Sequence, residues 1–236
     1  MTKILMVVSA ADSITLTDGT AHPTGYWAEE VAASHRVFRE AGVDVDIATP
    51  GGARPTVDPV SLSADGGVGE REAADFRAYL DSLDGELSRP LVLADVTLAG
   101  YDAVYVPGGH GPMVDLAHDG DLGRLLVEAD GQGRVVAVLC HGPAALLSAV
   151  RPDGGFAFAG RRLTVFTDAE ERQGGVGDRC PYLVESVLRE RGATIEAGPA
   201  WTSTVVVDGN LISGQNPQSS VDTARQVLRA LKVTAG

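Results

Sequence analysis

The chain has 236 residues, enough for one large α/β domain whose core needs no disulfide or structural metal. A formal charge of −13 repels phosphate backbones, which argues against nucleic acid as a partner. No apolar run approaches the roughly 20 residues that span a bilayer, so no membrane partner is expected. Cys140 and Cys180, with no recognisable export signal before them, fit free thiols in a reducing cytoplasm.

Strand and helix signals alternate along the chain. The segment over 3–9 is a continuous apolar run that ends in Asp12 and Ser13, and it reads as a buried strand rather than a signal peptide. A helix is predicted over about 28–41, stopped by Gly42, followed by an alternating strand over 43–50. Residues 51–98 are irregular, with Pro55, Pro59, the Gly66–Gly67 pair and one helical piece near 71–83. That stretch is long for a connection and reads as an insertion that covers something.

The pattern resumes with a strand over 102–109, a helix around 121–131 and a buried strand over 134–140. Pro143 opens the next helix, an allowed position for proline. A strand over 162–167, a helix from Pro181 to Gly192, a hairpin turning at Asp208–Gly209 and a last helix over about 218–232 complete the chain. The sum is one domain over 1–236 of the doubly wound α/β class, a mostly parallel sheet sandwiched by helices, with a small cap insertion at about 51–98.

The chemistry gathers at Cys140. In VVAVLCHGPAALL (135–147) a strand runs straight into Cys-His-Gly-Pro and then a helical pattern. A chain that turns so sharply strains the junction residue and presents its side chain above the sheet edge, with Gly142 removing a Cβ that would crowd the turn. The following helix N-terminus is expected to favour a thiolate. PGGHG (107–111) ends a neighbouring strand, and its glycines allow backbone N–H groups to join that of His141 in an oxyanion hole. On the helix over 28–41, a 100° step per residue places Glu30 on the shoulder of the stripe formed by Trp27, Val31 and Phe38, while Glu29 points away to solvent. A half-buried Glu30 has a raised pKa and suits proton transfer near neutrality. Asp168, Glu170 and Glu171 in FTDAEE (166–171) could each orient His141. The remaining histidines show no metal-ligand spacing, and Cys180 before Pro181 reads as structural, so no metal is expected.

These residues carry a family likeness. GYWAEE (25–30), YVPGGHGPMVDL (105–116), VVAVLCHGPAALL (135–147), FTDAEE, PYLVE (181–185) and LISGQNPQSS (211–220) resemble, in order, the DJ-1/PfpI superfamily and its heat-shock-protein-31-like glyoxalase III branch. The resemblance implies a flavodoxin-like, class I glutamine-amidotransferase-like sheet and a homodimer. It implies Cys140 as nucleophile, His141 beside it, Glu30 as the acid on the first helix and Glu171 as the partner of His141, with Glu170 adjacent. It further implies Gly109, His110 and His141 around the substrate oxygen. The activity implied is conversion of a small 2-oxoaldehyde, methylglyoxal or glyoxal, to D-lactate or glycolate without glutathione. No cofactor is expected, because a thioester route stays within acid/base and nucleophilic chemistry.

Other readings compete. A glutaminase needs a histidine from a late loop, and none follows His141. A cysteine peptidase or amidase would use the same Cys and His on an open site. Protein deglycation, a holdase chaperone role and a thiol redox sensor at Cys140 complete the alternatives.

Overall fold

The computed structural model describes residues 2–174 and 176–233, so the expected domain limits at 1 and 236 lie outside the described residues. In chain order the elements are β1 (Lys3–Val7), β2 (Ser13–Thr15), β3 (Ala21–Pro23), α1 (Ala28–Glu40), β4 (Asp44–Thr49), α2 (Glu70–Ser82), α3 (Asp84–Leu87), β5 (Leu91–Val92), β6 (Ala103–Val106) and α4 (Gly111–Val114). There follow α5 (Gly120–Gly131), β7 (Val135–Leu139), β8 (Arg162–Leu163), α6 (Asp168–Gln173), α7 (Val184–Glu190), β9 (Thr194–Ile195), β10 (Val205–Asp208), β11 (Leu211–Gly214) and α8 (Ser220–Ala230).

Seven strands form one sheet in the order β10-β11-β7-β6-β1-β4-β5, parallel except for β10, which pairs antiparallel to β11. The apolar runs explain it. Strands β6 and β7 are buried at every residue, as both faces of a parallel sheet require. Side chains alternate between the faces. Ile4 and Met6 of β1, with Val135, Ala137 and Leu139 of β7, pack with Val31, Phe38 and Val227 of α1 and α8. Leu5, Val7, Val136 and Val138 face the other way, toward Leu122, Leu126 and Phe158. This is the expected doubly wound sandwich.

Three details of the outer elements differ from the sequence-based expectation. The strand expected over 162–167 is only the two-residue β8, which pairs with β9 in a small parallel sheet of its own. The helix expected from Pro181 starts at Val184, with Leu183 as its N-cap. Among the described residues, β2 and β3 form a short hairpin that no periodicity marks. The 51–98 segment holds α2 and α3, and its end returns to the central sheet as β5, paired with Ala48 and Thr49.

The topology sets the site. Strands β6 and β7 are neighbours, with Val106 opposite Val138, so the loops leaving their carboxyl ends lie side by side. Such strand ends are where open α/β sheets place ligands. The start of α1 is tied to the same place. The Trp27 amide donates to the Gly108 carbonyl at 3.1 Å, and the Gly111 amide to the Gly25 carbonyl at 3.2 Å. Three chain segments therefore converge on Cys140.

Candidate active site

Cys140 follows β7 with φ at +58°, a left-handed conformation that costs a non-glycine residue on the order of 1 kcal/mol or more. The surroundings hold it there. Its amide donates to the Gly214 carbonyl and its carbonyl accepts from the Phe166 amide, both at 2.9 Å. A Cβ on Gly142 would sit 2.3 Å from the Val106 carbonyl oxygen, so glycine is needed there for the reason the sequence suggests. The strained strand-to-helix turn is thus present.

The turn does not lead into the expected α-helix. Residues 142–148 form a short 3-10 helix, with Ala144, Ala145 and Leu146 buried against the opposite layer of the core. A helix so short carries little dipole, and the expected push toward thiolate fails. The Cys140 thiol is instead raised well above its ordinary pKa, first by burial and then by the negative charge of Glu30. The backbone N–H groups of Gly109 and His141 both point at the sulfur and work the other way, without prevailing. Burial thus favours the thiol over the thiolate, and a carboxyl lies beside it.

That carboxyl belongs to Glu30. Its side chain is fully buried, as the helical phase predicts. Oε2 accepts a hydrogen bond of 2.6 Å from the Gly108 amide, and the carboxyl also lies against the Cys140 thiol. Burial raises its pKa to about 8, and the Gly108 and Cys140 contacts offset only part of the rise. Glu29 is not the solvated residue expected. It is half-buried near Glu72, and burial pushes it up to about 7.

On the other side of the sulfur, His141 Nδ1 lies 3.3 Å from Sγ, and Nε2 lies 2.7 Å from Glu171 Oε2. Burial alone would raise Glu171, but hydrogen bonds from His110 and His141 outweigh it and hold the carboxyl well below the usual range. An ionised Glu171 assigns the proton of His141 to Nε2 and leaves the Nδ1 lone pair facing the thiol. Burial and the neighbouring His110 keep the ring neutral by lowering its pKa. His110 Nε2 stands 3.2 Å from both oxygens of Glu171.

The choice among three acids resolves by hydrogen bonding. Glu170 is consumed elsewhere. Its oxygens accept from the Thr167 amide and hydroxyl, the Trp201 amide, Gln215 Nε2 and Asn216 Nδ2, within a capping box at the start of α6. Asp168 accepts from the Ser186 hydroxyl at 2.5 Å, away from the imidazole. Glu171 alone of the three bonds to His141.

Above Cys140 lies a cavity of about 370 Å³. Trp27, Phe166 and Trp201 supply aromatic walls, and Asp65, Gly66 and Gly67 from the 51–98 segment form part of the rim. Gly109 and His110 also line it, Gly109 with φ at +85° and no room for a Cβ against the Gly25 carbonyl. Sequence reasoning misses Trp201 and Phe166. Trp201 sits in a loop that no period marks, yet it shares the rare positive φ of Cys140 and is held by Glu170. Cys180, which reads as structural from its place before Pro181, is buried beside Glu171. Burial followed by the Glu171 charge pushes its thiol up to about 12.

The family model described as the DJ-1/PfpI family matches residues 23–230. The chain belongs to the DJ-1/PfpI family. Within it, the chain is 30% identical to the glutathione-independent glyoxalase HSP31 of Saccharomyces cerevisiae, covering 98% of each chain. It is also 30% identical to the protein/nucleic acid deglycase HchA of Staphylococcus aureus, covering 92% of this chain and 76% of the relative. The crystal structure of glyoxalase III from Candida albicans superposes with a TM-score of 0.81 at 28% identity, over 97% of both chains. Like those DJ-1/PfpI proteins, this chain places its sheet between helix layers. No helix of its described residues is long and apolar enough to cross a membrane.

Proposed function

We propose that this DJ-1/PfpI protein is a glutathione-independent glyoxalase that converts methylglyoxal or glyoxal to D-lactate or glycolate. The observation that carries the reading is the fully buried carboxyl of Glu30, fixed by the Gly108 amide at 2.6 Å beside the Cys140 thiol, with Oε1 left without a hydrogen-bond partner. A peptidase has no use for a second proton carrier at that position. An aldehyde-to-acid conversion needs one, because a proton must leave C1 and arrive at C2.

Cys140 adds to the aldehyde carbon. The thiol proton passes to Glu30 as the carbon–sulfur bond forms, and Glu30 hands it on to the aldehyde oxygen, which gives a hemithioacetal and returns Glu30 to its carboxylate form. The N–H groups of Gly109 and His141 stabilise charge on that oxygen as it develops. The Glu30 carboxylate then removes the C1 proton, giving an enediolate, and returns it to C2 while the C1 hydroxyl proton moves to the C2 oxygen. The product is a thioester, 2-hydroxyacyl-Cys140. Water cleaves the carbon–sulfur bond, releasing the hydroxy acid and the thiol. His141, fixed by Glu171, serves as base toward that water, and His110 steadies the Glu171 carboxylate.

The rim residues 65–67 and the aromatic walls support a small substrate over a peptide, with the 51–98 segment acting as cap. A homodimer in the cytoplasm belongs to the same proposal. The test is enzymatic production of D-lactate from methylglyoxal without glutathione. Removal of glycation adducts from protein with no turnover of free methylglyoxal would favour the deglycase reading instead.

The two adjacent acids are expected to separate cleanly. Glu171→Gln should lower kcat by about 10²-fold or more, because it releases the tautomer of His141, with some loss of Tm at neutral pH as the bonds to His110 and His141 lose their charge. Glu170→Ala should instead destabilise the fold, by on the order of 3 kcal/mol, by stranding the buried donors of Thr167, Trp201 and Asn216. Thermal melts beside steady-state kinetics of both variants read the difference. Equal effects of the two would contradict the assignment.

A further inference from the structure

A second cluster of ligand-type atoms adjoins the nucleophile. One ring nitrogen of His110, one carboxylate oxygen of Glu171 and Sγ of Cys180 lie within 4.8 Å of one another. The three come from the β6 loop, from α6 and from the turn before α7, so no spacing in the chain announces them. We propose that His110, Glu171 and Cys180 form a zinc site beside Cys140, and that zinc held there inhibits the enzyme by engaging Glu171.

The donor set argues for zinc. One imidazole, one carboxylate and one thiolate, with a fourth position open to water, suit a borderline-soft ion that takes N, O and S together. Zinc bonds of about 2.0–2.3 Å put ligand atoms roughly 3.2–3.8 Å apart, so the cluster needs a closing of about 1 Å by side-chain rotation. Charge balances as well. A carboxylate, a thiolate and a neutral imidazole cancel the two positive charges, which a buried site requires. The ligands are oriented from behind. His141 holds Oε2 of Glu171 at 2.7 Å, and the Tyr182 amide donates to the Cys180 sulfur. Access is available, because His110 and Glu171 line the cavity.

On binding, the Cys180 S–H bond breaks and its proton goes to solvent as the sulfur–zinc bond forms. His110 shifts its proton to Nδ1 and offers Nε2 to the metal. Its hydrogen bond to Glu171 is replaced by coordination. Glu171 then shares its charge with zinc and no longer holds His141 as firmly. The inhibitory half of the proposal rests on the glyoxalase reading, and the binding half does not.

Cobalt(II), which reports thiolate ligation by a near-ultraviolet charge-transfer band, tests the binding half. Wild type and Cys140→Ala should both bind one cobalt with that band, and one equivalent of zinc should abolish it. Cys180→Ala and Cys180→Ser should lack the band, with folding checked by circular dichroism; the serine variant keeps the size of the side chain if alanine does not fold. His110→Ala should bind zinc at least about tenfold more weakly. A band that persists without Cys180, a band lost in Cys140→Ala, or no stoichiometric binding by wild type would overturn the site. For the inhibitory half, one equivalent of zinc should lower wild-type D-lactate formation at least about tenfold, and Cys180→Ala should keep the zinc-free rate with or without the metal. Zinc binding without any slowing would overturn that half. A wild type that makes no D-lactate but shows the cobalt band would fail the glyoxalase reading alone.

Discussion

Cys140→Ala is expected to lower kcat/KM for methylglyoxal by at least about 10⁴-fold, with D-lactate formation falling to background. The size follows from the chemistry. Without sulfur there is no hemithioacetal, and the C1 proton of a hydrated aldehyde is far less acidic at the position Glu30 reaches. The fold should survive. Alanine at φ +58° is no more strained than cysteine, and the backbone bonds to Gly214 and Phe166 do not involve the side chain. A melting temperature near that of wild type together with lost turnover would assign the loss to chemistry. D-lactate production at an undiminished rate would remove Cys140 from the mechanism and with it the proposed reaction.

Glu30→Gln carries the second large effect, and its two halves have opposite signs. Turnover should fall by about 10²–10⁴-fold, the range for loss of a positioned acid/base. In wild type, kcat/KM should rise with pH to a plateau above about 8, because the carboxylate is the form that accepts the thiol proton. Stability should move the other way. The folded pKa of about 8 exceeds the value of 4.5 for the free group, so the native state binds this proton more tightly than the unfolded chain does. Its contribution is full below about 4.5 and is lost as pH rises through about 8. A neutral glutamine escapes that loss, and its carbonyl can still accept from the Gly108 amide. At pH 8.5 the variant should therefore be more stable by on the order of a few kcal/mol, a gain in Tm of about 5–10 °C for a chain of this size. At pH 5 the gain should largely vanish. Calorimetry of both proteins at the two pH values measures the difference. A variant less stable than wild type at pH 8.5 would mean that Glu30 is a structural anchor rather than a strained catalytic acid.

Such a trade of stability for reactivity fits the rest of the site. Cys140 is held in a left-handed conformation, Glu30 is buried as a carboxyl, and glycines at 108, 109 and 142 accept backbone approaches that no Cβ would allow. Each costs the fold something, and all of them lie within one convergence of strand ends.

What the sequence by itself determined is what local rules govern. The apolar runs at 3–9 and 134–140 pointed to central strands, because a doubly covered parallel sheet buries every residue of such a run. The Cys-His-Gly-Pro junction pointed to a strained turn, because a strand pattern ending at Leu139 and a helical pattern opening at Pro143 leave only three residues to reverse direction. The inward face of Glu30 followed from a 100° step, and the structure buries it accordingly. The tertiary structure decided the rest, because the deciding forces act between segments far apart in the chain. Whether Cys140 is a thiol or a thiolate depends on burial and on Glu30, 110 positions earlier, and those overrule the helix-end argument. Glu171 differs from Glu170 only in which donors surround it, His110 and His141 for one, Trp201 and Asn216 for the other. The meeting of Cys180 with His110 and Glu171 exists only where three separate turns close on each other. Desolvation and hydrogen-bond partnership are properties of an assembled neighbourhood, and no period or spacing in the chain encodes them.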